Sequence, residues 1–176
     1  MENPERDQDR VEDTIDHFRR FGFIMFPEQK KIYRYIKTYM EDGSILEAGC
    51  GMGLGAYMIG ADKATDKLVR NAKFAQELYP DISFDVWDLS KKPYEKHDIV
   101  VCVEAIEHVK DYRTAIKNLI DSARKEVWIS TPCPEKPENP PSNPYHVREF
   151  TEKEFLDLIG DYKVEIPFKG LYKICV

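Results

Sequence analysis

The stretch from Ile45 to Gly53 constrains this chain most, because a short apolar strand runs there directly into alternating glycines. Glycines at positions 49, 51 and 53 allow a sharp turn at positive φ and let a ligand approach the main chain. We call Gly49, Gly51 and Gly53 the glycine loop. Glu47, just before the loop, can accept a hydrogen bond from an ammonium or hydroxyl group. The pattern is typical of a loop that binds a nucleotide-type cofactor.

Length and charge limit the classes of protein to which the chain can belong. Its 176 residues suit one domain with a full core. The net charge of -6, with both signs spread along the chain, does not favour binding to nucleic acids or anionic membranes. The four cysteines form no C-x-x-C pair, so neither a zinc knuckle nor a disulfide framework is expected. Without a leader pattern or a membrane-spanning run, the sequence predicts a cytoplasmic protein.

Apolar periodicity predicts an N-terminal helical arm followed by one α/β unit. Residues 1–43 are expected to form this arm, with a short helix over residues 11–18, an apolar segment over 21–26 that packs on the body or forms a lid, and a helix from Pro27. Residues 44–176 are expected to form a mostly parallel sheet with a C-terminal antiparallel hairpin. The predicted elements are strands 44–48, 57–61, 82–87, 98–103 and 127–130, helices 65–78 and 111–124, a helix opened by a capping box at Thr151, and a hairpin around Lys169-Gly170.

The first crossover of this sheet is predicted to have a shortened helix or none. Only about eight residues separate the first strand from Tyr57, whereas a parallel crossover normally takes a dozen or more. Residues 51–56 also fit the dinucleotide pattern G-x-G-x-x-A, which works by aiming a helix N-terminus at a pyrophosphate. Without that helix, a phosphate-free cofactor is favoured, and a dehydrogenase ranks below other nucleotide-cofactor enzymes.

Several segments together resemble the class I S-adenosylmethionine (SAM)-dependent methyltransferases, in the broad group that includes the ubiquinone-biosynthesis O-methyltransferases. These segments are ILEAGCGMG, GADKATDKLVRNAK, FDVWDLSKKPYEKHDIVVCVEAIEHV, VWISTP and NPYHVREFTEKEF. The resemblance covers about residues 44–160 and is specific to the superfamily rather than to a substrate. It implies a Rossmann-like class I methyltransferase fold and SAM as the cofactor.

The resemblance also implies the cofactor contacts, residue by residue. Glu47 and the backbone of the glycine loop would hold the methionine end of SAM. Asp62 would bind the ribose hydroxyls, and Asp88 would bind the adenine amino group. Two vicinal hydroxyls on one carboxylate make a strong charge-assisted contact. Taken singly, either aspartate is equally typical of a surface turn.

A second group of polar residues follows the predicted strand 98–103. Glu104, Glu107 and His108 stand at i, i+3 and i+4, so one helical turn would point all three the same way. His146 comes later, after a proline-rich loop over residues 131–145. These four residues resemble the metal ligands of metal-assisted O-methyltransferases and suit Mg²⁺ or Mn²⁺. Two other interpretations stay open: His108 or His146 acts as a general base without metal, or the group is structural.

The sequence therefore predicts an enzyme that transfers a methyl group from SAM to an oxygen of a small-molecule acceptor, with or without a divalent metal. We expect Glu104, His108 and His146 to carry the chemistry. One alternative is a small-molecule N-methyltransferase. Another is a noncatalytic module of the same fold that contacts a partner. RNA methylation is disfavoured by the acidic balance, no membrane contact is expected, and the acceptor and oligomeric state stay open.

Overall fold

The computed structural model describes residues 26–176. The helix predicted over residues 11–18 and nearly all of the segment 21–26 lie outside this range. In the described range no helix is both long and apolar enough to cross a membrane. The helices are α1 (Pro27–Tyr39), α2 (Leu54–Ile59), α3 (Val69–Leu78), α4 (Tyr112–Asp121) and α5 (Glu152–Ile159), with a short 3₁₀ helix at Ile106–His108. The strands are β1 (Ile45–Ala48), β2 (Lys63–Asp66), β3 (Ser83–Val86), β4 (His97–Val103), β5 (Ala123–Ser130), β6 (Lys163–Phe168) and β7 (Leu171–Cys175).

Seven strands of residues 26–176 form one sheet, in the order β3-β2-β1-β4-β5-β7-β6. All neighbouring pairs are parallel except those made by β7, which runs antiparallel to β5 and β6. The predicted mostly parallel sheet with a C-terminal hairpin is confirmed. The strand order reverses between β1 and β4, and open α/β sheets bind ligands beyond the carboxyl ends of the strands at such a reversal. The glycine loop follows β1 at this point.

Alternate residues of β4 face opposite sides of the sheet and build two cores. Ile99 and Val101 belong to the core that α1 and α2 cover. Val100 and Cys102 belong to the core that α4 and α5 cover. A strand with helices on both faces has no polar side, which explains the continuous apolar run in this part of the sequence. The fold is therefore a three-layer α/β/α arrangement.

Helix α1 packs on the body of the protein. Pro27 lies at its start, where the missing N–H is not needed. Tyr33 and Ile36, one turn apart, are both buried in the core beneath α2. The last turn of α1 also holds α2, because the Lys37 amine donates a 2.5 Å hydrogen bond to Ile59 O.

Two helix starts follow local capping chemistry, of which the sequence predicts the one at Thr151. Thr151 and Glu154 form a complete capping box at the start of α5, with each side chain accepting from the other residue's backbone N–H. Asp111 caps α4 by accepting from Thr114 N. Both predicted helices are confirmed, although α4 ends at Asp121 rather than at residue 124.

The strand predicted at residues 57–61 is wrong. This segment belongs to α2 and its end, and the second strand is Lys63–Asp66. A six-residue apolar helix and a short buried strand have the same hydrophobic pattern, so periodicity alone does not separate them. The first crossover thus contains a helix, in the shortened form that the fold prediction allowed. For the same reason α3 begins at Val69, after residues 65–66 have completed β2.

Strand β5 begins earlier than predicted, at Ala123 instead of residue 127. Its first half carries Arg124, Lys125 and Glu126, so this part of the strand has no apolar pattern in the sequence. The pairing of Ala123 with His97 of β4 extends the strand in spite of this polar character.

Candidate active site

The glycine loop is fixed by backbone hydrogen bonds to the next strand. Gly49 N and Cys50 N both donate to Thr65 O, at 2.8 and 2.9 Å. All three glycines have positive φ, at 76°, 55° and 85° along the chain. Residues with a Cβ rarely adopt these angles, so the loop needs glycine for its turn.

The glycines differ in what surrounds them. A Cβ on Gly49 would lie 2.7 Å from Ala105 Cβ, so the loops after β1 and β4 touch at this point. A Cβ on Gly51 would meet no heavy atom of the described chain within 4 Å. Gly49 therefore serves packing, whereas Gly51 presents an open main-chain face toward the carboxyl edge of the sheet.

Asp66, which the sequence reading did not select, lies beside this open face. It ends β2, and its Oδ2 accepts from Gly51 N at 2.9 Å. Its Oδ1 accepts from Leu68 N at 2.8 Å and from the Asn71 amide at 3.1 Å. The carboxylate is thus held in place by three donors at the carboxyl end of the strand next to β1. The sequence analysis placed the second strand at residues 57–61 and took Asp62 as the acid that follows it, whereas the second strand of the structure ends at Asp66.

Asp62 lies at the opposite edge of the sheet. It precedes β2, and its Oδ2 accepts from Ile45 N at 2.7 Å, at the start of β1. This position separates Asp62 from the glycine loop by the length of the strand. The structure therefore does not bring Asp62 to the other predicted cofactor residues, and its side chain instead closes the amino end of β1.

Asp88 lies just after β3, at the carboxyl edge of the sheet. Its Oδ1 accepts from Ser90 N at 3.0 Å and from Ser90 Oγ at 2.7 Å. Partial burial raises the pKa of this carboxyl, but the Ser90 hydrogen bonds and the nearby Lys67 and Lys91 charges outweigh that effect and lower the pKa. Asp88 is therefore an ionised acceptor at the edge of the site.

Glu47 is enclosed rather than exposed to the site. Its carboxyl is fully buried, and Tyr33 of α1 donates to Oε1 at 2.5 Å. Within residues 26–176, Oε2 has no hydrogen-bond partner. Burial raises the pKa of Glu47 to about 8, against the lowering effect of the hydrogen bonds from Tyr33 and Ala56 N. The carboxyl therefore joins α1 to the first turn of α2.

Glu104 follows β4 in a strained backbone conformation. Among the described non-glycine residues it is the one with positive φ, at 51°, and such strain often marks a functional position. Its Oε1 accepts from Ser130 Oγ at 2.8 Å. Burial raises the pKa of Glu104, while the Ser130 hydrogen bond and the charge of His146 oppose that rise.

Three of the four predicted metal ligands converge. Glu107, His108 and His146 each offer a ligand atom, and these atoms lie within 4.8 Å of one another. The two imidazole rings stand 5.0 Å apart, and the buried Glu107 accepts from Thr131 Oγ1 at 3.3 Å. Glu104 is not part of this group. One carboxylate and two imidazoles suit a transition-type divalent ion such as Mn²⁺, and less well the oxygen-preferring Mg²⁺.

The proline-rich loop is fastened to this group by hydrogen bonds. Val147 N donates to Glu107 O at 2.8 Å, and Tyr145 O lies 2.8 Å from His108 Nδ1. These bonds connect two segments that are far apart in sequence. His146 thereby reaches the residues that follow β4, as the sequence predicts.

Sequence comparison finds relatives among methyltransferases. No family model matches the chain. Two strains of Mycobacterium tuberculosis each have a relative named a probable S-adenosylmethionine-dependent methyltransferase, 26% identical over 161 residues. The match covers 84% of this chain but 58% of the relative, so the chain spans little more than half the length of the curated relatives it matches.

Solved structures of the same fold include two whose lengths this chain nearly matches. The magnesium protoporphyrin IX methyltransferase of Synechocystis, with bound S-adenosylhomocysteine (SAH), has a TM-score of 0.69 at 15% identity, over 92% of this chain and 93% of that one. A TehB-like SAM-dependent methyltransferase of Corynebacterium glutamicum has a TM-score of 0.67 at 19% identity, over 98% and 97%. At such identities the likeness is one of fold.

Proposed function

We propose that this chain, which has the class I methyltransferase fold and resembles SAM-dependent methyltransferases in sequence, transfers a methyl group from SAM to an oxygen of a small-molecule acceptor. One observation carries the proposal: the open main-chain face at Gly51 lies beside Asp66, at the same edge of the sheet as the Glu107, His108 and His146 group. A cofactor site and a polar reaction site thus share one edge, and the touching loops at Gly49 and Ala105 join them.

The residues around the glycine loop fit SAM. The open face at Gly51 admits the methionine end against the main chain, without a phosphate site. Asp66 takes the role that the sequence reading gave to Asp62 and accepts from the ribose hydroxyls. Asp88, after the neighbouring strand β3, accepts from the adenine amino group. Glu47, bonded to Tyr33 and to Ala56 N, joins α1 to α2.

Methyl transfer from a sulfonium demands an aligned nucleophile and a site that excludes water. A hydroxyl acceptor must also lose its proton, whereas a neutral amine attacks without that step. The imidazoles of His108 and His146 suit an oxygen acceptor, because a neutral imidazole can take this proton. This requirement favours oxygen over nitrogen methylation.

The donor set Glu107, His108 and His146 also fits a divalent ion. Such an ion, when bound, would supply Lewis acidity that lowers the pKa of the acceptor hydroxyl. Glu104 stands beside this set, bonded to Ser130, and its carboxylate is placed to stabilise a positive charge on His146. A small-molecule acceptor is supported by the Synechocystis neighbour, which is named for a porphyrin substrate.

The test begins with calorimetric titration of the purified chain with SAH. We expect one-to-one binding, followed by transfer of labelled methyl from SAM to hydroxylated aromatic acceptors, measured with Mn²⁺ and with a chelator. His108→Ala should abolish transfer and leave the affinity for SAH within about threefold. His97→Gln is the matched control, since His97 lies at the start of β4, at the opposite edge of the sheet.

Each part of the proposal is contradicted by a different result. Absence of SAH binding would contradict the cofactor site. Transfer to amines but not to hydroxyls would exclude the oxygen acceptor, and full activity in chelator would exclude the metal. Unchanged transfer in His108→Ala would remove the histidine group from the mechanism.

A further inference from the structure

The turn that carries His146 has a local origin in the sequence Asn143-Pro144-Tyr145-His146. His146 N donates to Asn143 O at 3.0 Å, which closes a β-turn with proline at its second position, where the fixed φ suits the turn. The Asn143 side chain folds over the same turn, because its Oδ1 accepts from Tyr145 N at 3.0 Å. The orientation of this amide is therefore set, since a backbone N–H can only donate.

The set orientation of Asn143 determines which nitrogen of His146 carries the proton. With Oδ1 on Tyr145 N, the Asn143 Nδ2 is the atom that lies 2.9 Å from His146 Nε2. An amide nitrogen only donates, so Nε2 must accept with its lone pair. The ring proton of the neutral imidazole then resides on Nδ1.

The other side of the ring agrees with this assignment. His146 Nδ1 lies 2.8 Å from Glu149 Oε1, and a carboxylate accepts the Nδ1–H that the Asn143 contact requires. Both side chains are largely enclosed, at 9% exposure for His146 and 13% for Glu149. His108 shows the same arrangement, because its Nδ1 faces the carbonyl Tyr145 O, which also accepts only.

We propose that Asn143 and Glu149 are positioning residues, which fix His146 in the Nδ1–H tautomer and so reserve its Nε2 lone pair for the acceptor site. In this structure the Asn143 amide nitrogen donates to the lone pair, and an acceptor hydroxyl, or a divalent ion when bound, would take its place during function. A carboxylate on the far nitrogen of a histidine fixes ring orientation and tautomer in the same way at metal and catalytic sites. The role of the Nε2 lone pair in the acceptor site rests on the proposed function, whereas the assignment of the Nδ1–H tautomer does not.

The test reads the tautomer directly by long-range ¹H–¹⁵N correlation of the imidazole rings in the full chain, at a pH where they are neutral. Loss of one ring's signals in His146→Asn assigns His146. We expect Nδ1–H to be the dominant form in the wild type. Glu149→Leu and Asn143→Leu should each give a mixture in which Nε2–H becomes a major form. Glu135→Leu, at an exposed position of the same loop, is the control and should leave the ring signals unchanged.

Each outcome bears on the proposal independently of activity. A dominant Nε2–H form in the wild type would overturn it, even in an active enzyme. If the His146 tautomer is unchanged in Glu149→Leu or in Asn143→Leu, the residue replaced in that variant does not fix it. A dominant Nδ1–H form in a chain that transfers no methyl group would support the positioning geometry while the proposed function fails.

Discussion

The hydroxyl of Tyr33 lies 2.5 Å from Oε1 of Glu47, so helix α1 is bonded to a carboxyl of the central strand β1. Both side chains are enclosed in the core. Burial raises the pKa of Glu47 from 4.5 to about 8, and it raises the pKa of Tyr33 as well. Between pH 4.5 and 8 the folded protein therefore binds a proton that the unfolded chain releases.

This difference makes stability depend on pH. Because the pKa of Glu47 is higher in the folded state, its contribution is complete below about pH 4.5 and declines as the pH rises to about 8. We expect the free energy of unfolding to fall by on the order of a few kcal/mol between pH 5 and pH 9. Denaturant unfolding at both pH values measures the change.

The control for this prediction is Glu47→Gln, which keeps the shape but does not titrate. Its unfolding free energy should change less over the same interval than that of the wild type. Equal pH dependence in the two proteins would show that Glu47 is already ionised in the folded state, contrary to its raised pKa.

The position of Asp66 leads to a prediction about cofactor affinity. Asp66→Ala should weaken SAH binding about 10- to 100-fold, because a hydrogen bond to a charged group contributes about 1.5–3 kcal/mol. Asp62→Ala should leave the affinity within about threefold, because Asp62 closes the far end of β1. Calorimetric titration of both variants decides between them. A larger loss in Asp62→Ala would restore the original assignment to that residue.

The sheet could be predicted from sequence because the central strands β1 and β4 are mainly apolar, buried and bounded by turns. The position of β2 could not be predicted, because Lys63–Asp66 carries charge at both ends, whereas the neighbouring α2 is apolar throughout. Pairing with β1 and β3 holds β2 in place, and this stabilisation leaves no local signal. Because the second strand was predicted at residues 57–61, Asp62 and not Asp66 was taken as the acid at its end.

The candidate reaction site was predicted in part for a similar reason. The spacing of Glu107 and His108 places both near His146, although metal binding there stays a prediction. Glu104 was expected on the same helical turn, but its positive φ breaks the helical path before the 3₁₀ helix Ile106–His108 begins. Its carboxyl consequently contacts Ser130, a residue of β5 that the local pattern could not reveal.

The capping box at the start of α5 predicts a stability change at one residue. Thr151→Ala removes the side chain that accepts from Glu154 N, and should lower the free energy of unfolding by about 1 kcal/mol. Thr38→Ala is the matched control, since that exposed hydroxyl donates to Arg34 O of its own helix, and its change should stay within about 0.5 kcal/mol. Chemical denaturation measures both. A loss no greater than that of the control would contradict the energetic role of the box.

We expect alanine at two positions of the glycine loop to change stability and SAH affinity differently. Gly51→Ala places a methyl on the open face, so it should cost about 1–2 kcal/mol of stability for the left-handed backbone and also weaken SAH binding. Gly49→Ala should destabilise the fold more, because its Cβ meets Ala105 Cβ at 2.7 Å in addition to the backbone cost.

Gly60→Ala supplies the control for the backbone term. Gly60 ends α2 in the same left-handed region, at φ 72°, and its added Cβ would approach at 3.1 Å the Lys37 amine that bonds to Ile59 O. We expect Gly60→Ala to lose at least as much stability as Gly51→Ala yet bind SAH like the wild type. Unfolding curves and SAH titrations on the three variants separate the cost of the left-handed backbone from steric obstruction of the cofactor. If a folded Gly51→Ala protein bound SAH as tightly as the wild type, the cofactor could not rest on this face, because the added methyl would fill the space that it needs.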